Sequence, residues 1–158
     1  MRVGVLTVST AGAAGERADG SGDVIVAWAA RHGYTVADRA IVPDDTGAIV
    51  RQLAAWADGG AMDVILTTGG TGLAATDRTP EATRAVLERE APGIAEYCRA
   101  MSWPTFPRAA LSRGVAGVRG AVLIVNLPGS PSGVGDHLAA LDHVLEHAVA
   151  LLRGKTAH

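Results

Sequence analysis

The chain has little of what marks a secreted, membrane-bound or nucleic-acid-binding protein. One cysteine, Cys98, occurs in 158 residues, so no internal disulfide can form. Lysine also occurs once, at Lys155, and no basic tract or interleaving of basic and aromatic residues accompanies it. With a formal net charge of −2, that argues against a nucleic-acid surface. No apolar run is long enough to cross a bilayer, and Met1 leads straight into a strand-like run instead of a signal peptide. A cytoplasmic protein with no membrane partner is expected. Two nucleotide-binding signatures are missing as well. A P-loop needs a lysine after its second glycine, whereas the one lysine lies close to the C-terminus, and GxGxxG occurs nowhere.

What is present suits a packed α/β domain. Hydrophobic residues make up 48% of the chain and aromatics only 4%, so Val, Leu, Ile and Ala must fill the core. The length fits one domain over residues 1–158, with no internal repeat or linker. Strands are predicted at Arg2 to Val8, Tyr34 to Val42, Asp63 to Thr68 and Ala121 to Leu127. A Gly- and Ser-rich loop from Ser9 to Gly22 precedes a helix carrying Val24, Ile25, Trp28 and Ala29, which ends at Gly33. Thr46 is the expected cap of a helix bearing Ile49, Val50, Leu53 and Trp56, and Thr79-Pro80-Glu81 has the order of a helix start. Residues 92–107 read as a helix and an irregular connection, and Leu111 to Gly120 as a short strand or hairpin. One last helix presents Val134, Leu138, Leu141, Leu145, Ala148 and Leu152 on a single face. Strands alternating with helices call for a parallel sheet covered on both faces.

In such a sheet, ligands bind at the carboxyl ends of the strands. Four unusual loops fall there: Ser9-Thr10, Pro43-Asp44-Asp45, Gly69-Gly70-Thr71-Gly72, and Asn126-Leu127-Pro128-Gly129-Ser130. Glycines let backbone N–H groups approach phosphate oxygens, although a tight turn would use them too. Asp44, Asp45 and Asp77 supply carboxylates suited to magnesium on a substrate phosphate; turn and helix capping are the competing roles. Clustered carboxylates without a Cys/His set point to magnesium and not zinc.

Other motifs lead nowhere. His143-Val144-Leu145-Glu146-His147 fits HxxEH, but no Asp, Glu or Cys follows Glu146 as a third ligand, so it reads as a solvated helix face. Gly129-Ser130-Pro131-Ser132-Gly133 puts proline where a nucleophile elbow needs serine. Cys98 has no histidine at helical spacing and reads as an inert thiol. Trp28 and Trp56 fall on apolar helix faces, whereas Trp103 beside Pro104 suits an interface.

Thr67-Thr68-Gly69-Gly70-Thr71-Gly72-Leu73 followed by Asp77-Arg78-Thr79-Pro80-Glu81-Ala82-Thr83 resembles the central motif of the MogA/MoaB-type molybdenum-cofactor proteins. Asn126-Leu127-Pro128-Gly129-Ser130-Pro131 is similar to their second motif, and Val42-Pro43-Asp44-Asp45 and Leu111-Ser112-Arg113-Gly114 match in order and spacing. The resemblance implies a three-layer α/β/α sandwich with a mostly parallel central sheet, assembled as a homotrimer. It implies transfer of AMP from Mg-ATP to the terminal phosphate of molybdopterin with release of pyrophosphate, and hand-over to a molybdate-insertion enzyme. Asp44 and Asp77 would then be the catalytic carboxylates and would hold Mg2+. Ser9, Gly69, Gly70, Thr71, Gly72, Glu81, Ser112, Asn126, Pro128, Gly129 and Ser130 would bind substrate and phosphate. Two departures stand out: Thr10 where many relatives have aspartate, and Thr76 where many place arginine, with Arg78 as a candidate replacement. They motivate an alternative, a molybdopterin-binding or scaffold protein with weak or no catalysis.

Overall fold

A strand whose side chains enter a core on both faces must be covered by helices on both sides. β1 (Arg2–Val8) is such a strand: Val3 and Val5 enter one core, Leu6 and Val8 the other. In the computed structural model, which describes residues 1–155, the first core is closed by α2 (Gly20–Arg31), α5 (Pro92–Ser102), α6 (Pro131–Leu141) and α7 (Leu145–Leu152). The second is closed by α3 (Thr46–Asp58) and α4 (Thr79–Val86). The chain is a three-layer α/β/α sandwich.

The sheet runs β2-β1-β3-β6-β5-β4, where β2 is Thr35–Val42, β3 Val64–Thr68, β4 Arg89–Glu90, β5 Ala116–Arg119 and β6 Val122–Leu127. The first four strands are mutually parallel; β5 pairs antiparallel with β6, and β4 antiparallel with β5. The uncertain 111–120 stretch therefore contains a strand that hairpins onto β6 through Gly120-Ala121. The two-residue β4 has no hydrophobic pattern of its own and went unpredicted. Trp28 and Trp56 are buried, as expected, and Trp103 is half exposed. Among the described residues, no helix is long and apolar enough to cross a membrane.

Several local expectations change. The loop after β1 holds a short helix, α1 (Thr10–Ala13), capped by Ser9, and α2 already starts at Gly20, capped by Asp19. Asp45, not Thr46, caps α3, its side chain accepting from the Ala48 N–H at 2.7 Å. Thr79 does not cap α4; it is the first helical residue, and its hydroxyl turns inward to the glycine loop. The last helix is two helices. The chain turns at Asp142–Val144, where the Asp142 carboxylate accepts from Trp28 Nε1 at 2.8 Å, and helical periodicity persists across the break.

Candidate functional site

In the order β2-β1-β3-β6, the chain leaves β1 and β3 in opposite directions across the sheet. A crevice opens at that switch point, outside the carboxyl ends of the strands. It is a cleft of about 410 Å³ lined by Ser9, Asp44, Gly69, Gly70, Asp77 and Gly129 among others. Its floor is the loop after β3. Gly69 and Gly70 have φ of +93° and +64°, which L side chains avoid. A Cβ on Gly69 would also collide with the Val8 carbonyl, and one on Gly70 with the Thr79 hydroxyl. The buried Thr79 donates its hydroxyl to the Gly69 carbonyl at 2.8 Å and its N–H to that of Gly70 at 3.1 Å. Thr68 donates to the Pro128 carbonyl at 2.6 Å, bringing the second motif against the first. The loop is thus rigid before any ligand arrives, the condition under which backbone dipoles stabilise charge without reorganising.

The carboxylates differ in their ties. Asp44 Oδ2 accepts from both the N–H and the hydroxyl of Thr10, each at 2.9 Å, so Thr10 orients Asp44. Asp77 Oδ2 accepts from the Ala74 N–H at 2.9 Å, closing the turn after the glycine loop instead of capping α4. Asp19 also lines the cleft and was not among the predicted site residues. Burial pushes its carboxyl up, but the Arg39 guanidinium, the Gly22 N–H and the Thr7 hydroxyl outweigh that and hold it below the ordinary aspartate value. Its signal was present as an aspartate just ahead of a glycine-led helix start, masked by the surrounding Gly and Ser. Arg17 lines this cleft; Arg78, the candidate replacement for a missing arginine, does not, and Thr76 stands on the wall.

The donor set bears on the metal. Among the described residues, no group of three or more His, Cys, Asp or Glu could hold an ion. Three carboxylates line the same cleft as the glycine loop; Asp19 is engaged by Arg39, which leaves Asp44 and Asp77. That set fits magnesium carried on substrate phosphates, which needs one or two protein carboxylates, and does not fit a closed protein cage. His143 and His147 are exposed and separated by the helix break, so HxxEH has no metal-site geometry. Cys98 is buried, and burial pushes its thiol up to about 11.

A second cleft, of about 320 Å³, lies across the loop and shares Gly70, Asp77 and Gly129 with the first. Thr71, Gly72, Ser112, Pro128 and Ser130 line it, with Phe106, Ala109 and Leu111 as apolar walls. Ser130 also caps α6, accepting from the Gly133 N–H at 3.2 Å. Two predicted site residues lie in neither cleft. Asn126 is buried beneath them: its amide donates to Thr67 Oγ1 at 3.0 Å and Thr83 Oγ1 at 2.9 Å, and its carbonyl accepts from the Val115 N–H at 3.2 Å. Both amide N–H groups and the carbonyl thus go to joining β6, β3, α4 and the lead-in to β5. Leaving those groups unpaired would cost about 1–3 kcal/mol each. Glu81 pairs with Arg113, whose hydrogen bond holds the Glu81 carboxyl below its ordinary value.

Arg113 is the residue that the sequence undervalued. It donates Nε to the Gly72 carbonyl at 2.7 Å and Nη2 to that of Asp77 at 2.9 Å, while its backbone N–H reaches the Thr71 carbonyl at 2.8 Å. One guanidinium therefore fixes both ends of the Gly72–Asp77 turn. Carbonyl acceptors leave no mark in a sequence, so only the motif around Ser112 hinted at it.

The similarities to known proteins fall on this same stretch of chain. A family model described as "Probable molybdopterin binding domain" matches residues 4–147. The chain is 46% identical over 112 residues to "Molybdenum cofactor synthesis protein cinnamon" of Drosophila melanogaster, a match spanning 71% of this chain and 19% of that protein. It is 40% identical over 114 residues to "Molybdopterin adenylyltransferase" of Helicobacter pylori (strain J99), spanning 72% of this chain and 65% of that one. In both cases the chain spans less than two thirds of the relative's length. The crystal structure of the molybdopterin biosynthesis enzyme MoaB from Thermus thermophilus superposes with a TM-score of 0.91 at 52% identity, covering 97% of this chain and 96% of that one.

Proposed function

The chain belongs to the MogA/MoaB family of molybdenum-cofactor biosynthesis proteins, and from that premise we propose that it binds molybdopterin and transfers AMP from Mg-ATP to the pterin's terminal phosphate, releasing pyrophosphate. The observation that carries the reading is the pair of clefts, one polar and one apolar, meeting over a rigid glycine loop with Asp77 on their common wall. Two substrates lying one in each cleft would bring their phosphates together at Gly70.

The chemistry suits this set of groups. A pterin phosphate oxygen forms the new bond to the α-phosphorus of ATP as the bond to pyrophosphate breaks, so no protein nucleophile is required. The loop carrying Gly69 and Gly70 holds the phosphates through backbone N–H groups, and Thr10 keeps Asp44 oriented toward them. Asp44 and Asp77 would hold magnesium, which when bound neutralises charge on the departing pyrophosphate. Asp77 is placed by Arg113 through its carbonyl. A homotrimer, with the half-exposed Trp103 in its interface, and hand-over of product to a molybdate-insertion enzyme belong to the same proposal.

A second reading, a molybdopterin-binding or scaffold protein without turnover, draws on Thr10 and Thr76. Asp44 Oδ2 is occupied by Thr10, and no arginine stands at position 76 beside the phosphate floor. Pterin binding is common to both readings, so the discriminating measurement is pyrophosphate release from Mg-ATP with and without molybdopterin. Release that requires both substrates and stops with EDTA is expected. Tight pterin binding with no release at any metal concentration would select the binding protein.

A further inference from the structure

His137 is the one described residue with a buried side-chain polar atom that has no hydrogen-bond partner: its Nδ1 is sealed from solvent. It lies on α6 at 4% exposure and lines the second cleft. Burying an imidazole this way is costly, and a leucine or phenylalanine would pack the same wall without the penalty. The Gly133 carbonyl, one turn earlier on the helix, favours the protonated ring without making a hydrogen bond to Nδ1. Nε2 is not among the sealed, unpartnered atoms, and His137 lines the cleft, so Nε2 is the nitrogen the cleft can reach. Phe106, Ala109, Leu111 and Pro128 supply apolar walls, with the Arg108 guanidinium 5.1 Å from the Phe106 ring centroid, and Ser102, Ser112, Ser130 and Asp136 add polar groups to the rim.

Resting on the reading above, we propose that His137 is a specificity-determining residue of the second cleft: its Nε2 accepts a hydrogen bond from a ring N–H or exocyclic amine of a phosphorylated nitrogen heterocycle. The phosphate lies on the glycine loop, the ring stands between the apolar walls, and the imidazole reads its edge. Either substrate of the proposed reaction has this chemistry, the pterin or the adenine, and the test separates them. The imidazole must be neutral to accept. Burial pushes its pKa below the ordinary histidine value, Arg99 on α5 does the same, and the Gly133 carbonyl and Asp136 act in the opposite direction. Arg108 and Asp77 face the same cleft, and Cys98 on α5 packs on the His137 carbonyl at 3.8 Å.

The experiment measures dissociation constants for a pterin monophosphate, a non-hydrolysable ATP analogue and ring-free pyrophosphate, for wild type, His137→Gln and His137→Leu, between about pH 5 and pH 8. For His137→Leu, at least one ring ligand should weaken about ten- to hundredfold while pyrophosphate is unchanged. His137→Gln, which keeps an acceptor, should restore most of that affinity. Wild-type affinity for the ring ligand should fall on the acid side as the imidazole takes up a proton, and the His137→Gln profile should be flat. Whichever ring ligand weakens names the occupant; equal weakening of both would mean that the cleft reads the shared edge. Equal dissociation constants in all three proteins would overturn the proposal, whatever the change in melting temperature. A matching loss for pyrophosphate would overturn it too, since the damage would then be general. Wild type that binds no ring ligand would sink the underlying functional reading and this inference with it. Should His137→Leu fail to fold, His137→Gln and the wild-type pH profile decide.

Discussion

The cleft over Asp19, Asp44 and Asp77 and the cleft beside Phe106 share three residues and little else. The first is made by loops that end β1, β2 and β3, strands of one continuous parallel array. The second borrows its apolar walls from the segment between α5 and β5, which lies outside the sheet. Two arginines tie that segment down: Arg113 to the glycine loop, and Arg99 to the carbonyls of Ser112 and Gly114 at 3.4 and 2.9 Å. The polar half thus stands on strands fixed by backbone pairing, with the Thr68 and Thr79 hydroxyls holding its loop, and the apolar half hangs on arginine donors to backbone carbonyls. Hydrogen bonds of the second kind are individually deletable, so the two halves should fail differently.

The largest effect is expected where the clefts meet. Asp77→Asn keeps an acceptor for the Ala74 N–H and should fold and bind pterin normally, while adenylyl transfer falls about a hundredfold or more. Near-normal turnover with a lowered melting temperature would reduce Asp77 to a turn residue and dissolve the shared wall.

Arg113→Ala should come next, cutting turnover roughly tenfold and raising KM for the second-cleft substrate more than for the first, because the Gly72–Asp77 turn loses its clamp. Arg113→Lys should recover only part, since an ammonium cannot make the forked contact. Acid titration tests the same link. The Glu81 carboxyl is held below its ordinary value by Arg113, so the pair's stabilisation is complete above about pH 4.5 and is lost as pH falls through the lowered value. Wild type should therefore lose melting temperature below about pH 4.5 more steeply than Arg113→Ala. Parallel curves would mean that the pair contributes nothing beyond surface charge.

The smallest effect belongs to Asp45, one residue from Asp44 yet assigned to the α3 cap. Asp45→Ala should cost about 1 kcal/mol in urea unfolding and leave pyrophosphate release unchanged. A turnover defect comparable to that of Asp77→Asn would show that the boundary between cap and site is drawn at the wrong aspartate.

The buried parallel strands were legible because Val, Leu and Ile crowd into runs bounded by turn residues, and that composition has few other uses. The glycine loop was legible for a similar reason: two successive positive φ angles close against Val8 and Thr79 leave glycine as the residue that fits. Asn126 and Glu81 show the limit. Both sit in motifs that border the site, and nothing local told that one points into the core and the other toward an arginine 32 residues along the chain. The helix break at Asp142–Val144 was hidden because Leu141 and Leu145 keep helical spacing across it.

The sequence by itself determined the four parallel strands, the glycine loop, the absence of an internal disulfide and the stock of carboxylates, since each follows from the chemistry of neighbouring residues. The tertiary structure decided which of those carboxylates share a cleft, that Thr10 orients Asp44, that Arg113 fixes the Asp77 turn, and that a second, apolar cleft opens beside the first. The physical reason is sheet order: setting β1 between β2 and β3, and β6 beyond, brings together strand ends far apart in the chain, and no local pattern encodes that juxtaposition.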